Sequence, residues 1–216
     1  MKRTLAVAVA AALCGPALAA CTTPVSGHGS IDRNVAAPSA GASGGQSDGN
    51  TGDAGGSRLS CGGGTVISPK GAPYCYLLPA GLGQITNITL PGGGDHTSAV
   101  GIGGRDVIAV TVFQTPGDTD ELSDDELRAD TDQVVARQLS DDFTFASKEG
   151  EALTVDDART VHYRAKGRQE AFDIDIYFVY RGTAKMQINC QSKDHPQQID
   201  RGCQDLLRSL QFRPPR

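Results

Sequence analysis

Few residue groupings in this 216-residue chain could do chemistry. His162 and Asp173 lie on neighbouring predicted strands, where a hairpin would set an imidazole against a carboxylate, the orienting half of a hydrolytic site. No serine or cysteine nucleophile is placed beside them, and a solvated strand face accounts for both residues. Gly41-Ala42-Ser43-Gly44-Gly45 fits the G-x-S-x-G pattern, but a nucleophile elbow needs a strand before it and a helix after it, and neither is present. The glycine-rich stretches Pro91 to His96 and Gly101-Ile102-Gly103-Gly104 lack the lysine of a phosphate loop and the full G-x-G-x-x-G, so they are turns. Asp118, Asp120, Glu121, Asp124 and Asp125 could line a calcium loop, except that Leu122 and Ser123 stand where a ligand and a glycine are wanted. Helix capping explains them better. His28, His96, His162 and His195 are scattered and no C-x-x-C pair exists, so no metal, cofactor or catalytic residue is assigned.

The cysteines are more informative. Leu18-Ala19-Ala20-Cys21 follows a basic pair, Lys2-Arg3, and an apolar run from Leu5 to Leu13 that is too short to span a membrane. This stretch resembles the lipobox of bacterial lipoproteins. The resemblance implies that residues 1–20 are a signal peptide, that Cys21 is diacylated, and that the protein is attached to the outer face of the cell membrane. Ala17-Leu18-Ala19 also satisfies an ordinary secretory cleavage site, which would leave a free thiol at the new end. Cys14 follows a leucine and does not fit the motif.

The formal charge of -5 becomes -7 without Lys2 and Arg3, so a nucleic-acid partner has no electrostatic basis. Residues 21–58 are Gly, Ser, Ala, Asp and Thr with almost no large apolar side chain, the composition of a flexible tether. The remainder, 59–216, has room for one domain. Its cysteines, Cys61, Cys75, Cys190 and Cys203, are even in number and exported, and so read as two disulfides with three possible connectivities.

Strands are predicted at Tyr74 to Leu78 and Ile85 to Leu90. Asp106 to Gln114 is apolar on both faces and should be central and buried. Ser123-Asp124-Asp125-Glu126 is a capping box opening a helix to about Leu139, with Leu127, Thr131, Val134, Val135 and Gln138 or Leu139 inward. Ala158 to Ala165, Ala171 to Tyr180 and Ala184 to Gln191 form a meander. A two-residue turn at Gly167-Arg168 would put Tyr163 opposite Phe172, His162 opposite Asp173 and Thr160 opposite Asp175. A three-residue loop, Arg181-Gly182-Thr183, would set Gln187, Asn189 and Gln191 beside Tyr177, Asp175 and Asp173. One side of the meander is then apolar and carries Met186, Ile188 and Cys190. The other is a polar face of His162, Arg164, Asp173, Asp175, Tyr177, Gln187, Asn189 and Gln191, the candidate binding surface. The last helix, after Pro196, turns Ile199, Cys203, Leu206, Leu207 and Leu210 to one side. Because Cys203 and Cys190 then face each other, the favoured bridges are Cys190–Cys203 and Cys61–Cys75.

The expected fold class is α+β: an antiparallel sheet with a central helix insertion and a C-terminal helix packed on it. Tyr76-Leu77-Leu78-Pro79-Ala80-Gly81, Gly104-Arg105-Asp106-Val107-Ile108, and Gln187-Ile188-Asn189-Cys190 with Cys203 and the last helix resemble the Mog1/PsbP-like fold. More closely they resemble actinobacterial lipoproteins of the LpqN/LpqT sort. The likeness implies a binding or accessory module for an envelope protein or cell-wall component and carries no catalytic motif. A lipid or glycolipid carrier is the alternative, weakened by the absence of tryptophan; an envelope hydrolase ranks last.

Overall fold

The computed structural model describes residues 59–86 and 94–214. The strands are β1 (Val66–Ile67), β2 (Tyr74–Leu77), β3 (Gly83–Ile85), β4 (His96–Gly103) and β5 (Asp106–Gln114). A 3-10 turn at Thr119–Glu121 and helix α1 (Asp124–Gln138) follow. Then come β6 (Phe143–Phe145), β7 (Glu151–Val155), β8 (Ala158–Gly167), β9 (Asp173–Arg181) and β10 (Ala184–Ser192). Helix α2 (Pro196–Ser209) and β11 (Gln211–Phe212) end the chain. Eight of the strands form one antiparallel sheet, ordered β3-β4-β5-β10-β9-β8 with both β6 and β7 on the outer edge of β8; β1-β2-β11 form a second, small one. The class is α+β, as expected.

Both faces of the large sheet are covered, each by a different helix and over different strands. On one side, called side A, α2 lays Ile199, Cys203 and Leu206 against Ile108, Val110, Met186, Ile188 and Cys190, with Tyr74, Tyr76 and Phe212 of the small sheet closing the same core. Within this core both tyrosine hydroxyls reach Ser98 Oγ, at 2.9 and 3.0 Å, so the buried polar groups satisfy each other. On side B, α1 packs Leu127, Val135 and Leu139 against Val161, Tyr163, Ile174, Ile176 and Phe178 of β8 and β9. The Thr131 hydroxyl is spent on Leu127 O and on Tyr180 Oη. Both halves of the capping box close: Glu126 N–H donates to Ser123 Oγ, and Ser123 N–H donates to the Glu126 carboxylate.

The two bridges are Cys61–Cys75 and Cys190–Cys203, each with Cα atoms 6.0 Å apart, an ordinary span. The first ties the start of the domain to β2. The second ties α2 to the centre of the sheet.

Two turns decide the registers, and both differ from expectation. Gly167 N–H donates to Phe172 O, which makes the β8–β9 loop four residues, Arg168 to Ala171, instead of two. His162 therefore sits opposite Tyr177, Thr160 opposite Val179, and Tyr163 opposite Ile176. Because the slip is even, every side chain of β8 and β9 keeps its expected face. The β9–β10 loop is two residues, Gly182-Thr183, instead of three, since Arg181 pairs with Ala184 and Gly182 takes the positive φ that such a turn needs. This slip is odd. It moves all of β10 to the other face, so Ile188 faces the same side as Tyr177, and Cys190 the same side as Asp175.

The strands β1, β4, β6, β7 and β11 were not foreseen, and Gly101 to Gly103, expected as a turn, end β4. The strand expected from Ile85 to Leu90 is replaced by β3, which ends at Ile85; residues 87–90 lie outside the described residues. Val134 is only half buried and Gln138 is exposed, leaving Leu139 as the inward residue at the end of α1. The acidic stretch before α1 receives a guanidinium from the sheet. Arg159 of β8 donates to Leu122 O at 2.6 Å and to Thr119 O, and lies 3.4 Å from Asp124.

Candidate functional site

Side A is apolar where α2 covers it and polar beyond, on β7, β8 and β9. Alternation along β8 places His162, Arg164 and Lys166 here; β9 answers with Tyr177, Asp175 and Asp173 directly opposite. The pairs are physical as well as positional. Arg164 Nε lies 3.4 Å from Asp175 Oδ1, and Lys166 Nζ 3.3 Å from Asp173 Oδ1. His162 stacks on the Tyr177 ring at 4.3 Å between centroids. Its Nε2 is 2.7 Å from Asp175 Oδ1, and its Nδ1 is 3.4 Å from Glu151 of β7.

Exposure rises along the patch. The His162 side chain is 5% exposed, whereas Arg164 and Lys166 reach 73% and 76%. Burial pushes the Tyr177 hydroxyl up to about 12, helped by the Asp175 charge. Asp200 on α2 is also raised, first by burial and then by Asp175 and Asp173, which places the helix's acidic side at the border of the patch.

This geometry defines what the patch can do. A catalytic histidine needs one nitrogen oriented by a partner and the other facing substrate; here both ring nitrogens meet carboxylates. The expected pairing of His162 with Asp173 is replaced by His162 with Asp175, and the arrangement holds the ring between strands. Arg164, Lys166, Asp173 and Glu151 remain as solvent-facing donors and acceptors suited to a polar partner.

Gln187, Asn189 and Gln191 do not join this surface. They lie on side B, a consequence of the odd slip at Gly182-Thr183. Gln191 is buried and donates to Arg105 O at 3.1 Å, a structural role. Gln187 Nε2 donates to Asn189 Oδ1 at 3.0 Å. The eight residues grouped from the sequence are thus five on side A and three on side B. The Gly-first turn chemistry of Gly182-Thr183 was the available signal for the correct register.

Sequence reasoning also missed Asp106 and His195. The Asp106 side chain is 2% exposed and accepts the backbone N–H groups of Lys193, Asp194 and His195 at 2.8 to 3.1 Å. His195 Nδ1 lies 3.0 Å from its second oxygen. Burial by itself would raise this carboxyl, but the hydrogen bonds from the His195 ring and the three backbone groups outweigh it and hold the carboxyl below its ordinary value. Among the described residues no group of three or more His, Cys, Asp or Glu could hold a metal. Cys21 and the Gly41 to Gly45 stretch lie outside the described residues.

What fold and site define together is an α+β protein whose mainly antiparallel sheet carries a helix on each face and is stapled by two disulfides. No family model matches the chain, and no curated protein matches it. Among solved structures it is similar to a protein of Bacteroides thetaiotaomicron VPI-5482, with 8% identity and a TM-score of 0.44, over 70% of this chain and 49% of that one. The chain thus corresponds to about half the length of that protein.

Proposed function

We propose that this protein is a lipid-anchored module of the cell envelope that binds an envelope protein or cell-wall component, built on a domain of the Mog1/PsbP-like, LpqN/LpqT-like kind. Support comes first from the two disulfides, since such bonds persist in oxidising compartments outside the cytoplasm. They lie behind Leu18-Ala19-Ala20-Cys21, the sequence expected of a lipid attachment site. The anchor is the acyl group on Cys21, residues 21–58 are the tether, and the polar end of side A is the contact surface. No described helix is long and apolar enough to cross a membrane.

Two measurements test the two halves separately. In the native envelope, Cys21→Ala should leave unprocessed precursor or release the protein to the medium; a correctly processed variant that stays on the membrane overturns the anchor. For the surface, Arg164→Gln with Lys166→Gln should abolish capture of a component from detergent-solubilised envelope while leaving the melting temperature nearly unchanged, since exposed ion pairs contribute little. Both side chains are exposed, so folding is not the confounder that Asp175→Ala would introduce by stranding His162. Undiminished capture overturns the surface assignment.

A further inference from the structure

Among the described residues β7 pairs with β8 and with no other strand, and its Glu151, Ala152, Leu153 and Thr154 are all exposed. The other edge strands, β1, β3, β6 and β11, are two or three residues long, and shortness is one way in which proteins blunt an edge. β7 has five residues, an unbroken register, and no lysine, proline or bulge to turn a further strand away. At its centre Leu153 is 36% exposed, one of the exposed large apolar side chains.

This edge is held in place at both ends. Gly150 N–H donates to Asp132 of α1 at 2.8 Å. At the other end the Asp156 carboxylate accepts Phe212 N–H at 2.7 Å and pairs with Arg213. A strand fixed in this way has little ordering entropy left to lose when it pairs. The hairpin turn also settles which backbone groups face outward. Asp156 and Asp157, at φ 50° and 57°, form a two-residue loop between Val155 and Ala158, and both positive angles are what a type I′ turn requires. The residues closing such a turn are a hydrogen-bonded pair, and pairs alternate from there. Val155, Leu153 and Glu151 therefore turn their backbone groups to β8, whereas Ala152 and Thr154 turn theirs to solvent.

Open groups at Ala152 and Thr154, evenly placed about Leu153, make the edge complementary to itself. When two copies run antiparallel, Ala152 of one meets Thr154 of the other, and each such pair exchanges both N–H···O bonds. The two Leu153 residues then meet on the two-fold axis as a non-hydrogen-bonded pair, the kind whose side chains come closest. A foreign strand would have to supply an apolar residue at that point; a second copy brings one. This register uses all five residues of β7. It sets Glu151 against Val155 of the second copy, so the two Glu151 carboxylates stand at opposite ends, roughly 14 Å apart along the strand and beyond the screening length. We propose that β7 is a self-association edge, at which a second copy of this chain adds its own β7 antiparallel about Leu153 and joins the two large sheets into one. Two short strands bury less than the roughly 1,000 Å² of a stable interface, so the dimer is reversible. The edge is independent of the anchor and of the Arg164 and Lys166 contact surface.

Cysteine crosslinking tests it, with the full-length chain in non-ionic detergent under copper–phenanthroline, at about 0.1 mM so that a dimer of micromolar dissociation constant is mostly formed. The unaltered chain gives the background from its own cysteines. The Cα atoms of a non-hydrogen-bonded pair lie about 4.5 Å apart, within reach of a disulfide. Leu153→Cys should therefore yield a linked dimer, located at residue 153 by mass spectrometry of non-reduced peptides. Ala152→Cys and Thr154→Cys each face a different residue of the second copy, and should crosslink at least about tenfold more slowly. Thr154→Pro deletes an N–H that points to solvent and not to β8. Added to Leu153→Cys, it should slow crosslinking about tenfold or more while leaving the thermal midpoint nearly unchanged. A Leu153→Cys chain that stays monomeric, or that crosslinks no faster than Ala152→Cys, overturns the pairing, and so does crosslinking undiminished by Thr154→Pro in a folded chain.

Discussion

Replacing Asp106 separates a structural carboxylate from a merely buried one. Asp106 Oδ1 accepts three backbone N–H groups from the turn between β10 and α2, and Oδ2 faces the His195 ring. Asparagine can keep its carbonyl at the Oδ1 position and present its amide to an unprotonated Nδ1, so the geometry survives and only the charge is lost. Hydrogen bonds to a charged group contribute about 1.5–3 kcal/mol each against about 1 for neutral ones, with strong overlap when they share an acceptor. Asp106→Asn should therefore cost about 1–2 kcal/mol. Asp106→Ala removes the acceptor of three part-buried donors and should cost about 2–4 kcal/mol. The pH dependence distinguishes the charge directly. The folded carboxyl is held below its unfolded value of about 3.9, so the unfolded state binds more protons near that pH and stability rises with pH there. Its contribution is fully present above roughly pH 5 and is lost as the pH falls through the folded value. Urea melts of the wild type and Asp106→Asn between about pH 2 and pH 7 read this out, the variant showing a shallower acid slope. An Asp106→Ala cost under about 1 kcal/mol, or identical acid slopes, would refute the reasoning.

Opening the bridge between β10 and α2 with Cys190→Ser and Cys203→Ser together should cost about 3 kcal/mol for a loop of this size, seen as a fall of several degrees in the thermal midpoint. Ser123→Ala removes one partner of the capping box and should cost about 1 kcal/mol in urea, with no change in far-ultraviolet signal before the transition. Arg159→Met should strand the carbonyls of Thr119 and Leu122, destabilise by about 1–3 kcal/mol, and make the segment before α1 the first site of limited proteolysis.

Much of the architecture was written in local pattern. Val107, Ile108, Val110 and Val112 announced a strand buried on both faces, and it lies inside the sheet between β4 and β10. Ser123 and Glu126 announced a helix start, and the i, i+3, i+4 spacing of Ile199, Cys203 and Leu206 announced the helix that buries them. Both disulfides followed from those faces. These features depend on periodicity and capping, which are properties of a few consecutive residues.

What tertiary structure alone decided was which strand faces share a side. One residue more or less in a turn inverts an entire strand, and the two readings of Arg181-Gly182-Thr183 differ by only that. The sequence reading also assumed one core, so it placed Met186, Ile188 and Cys190 with the apolar side of β8 and β9. A sheet with a helix on each face has two cores, and β10 turns its apolar side to α2 while β9 turns its own to α1. Asp106 and Arg159 were invisible for a related reason. Each is a charge whose meaning depends on partners dozens of residues away, His195 and Leu122, and such pairings are fixed by how the layers close, which no local pattern records.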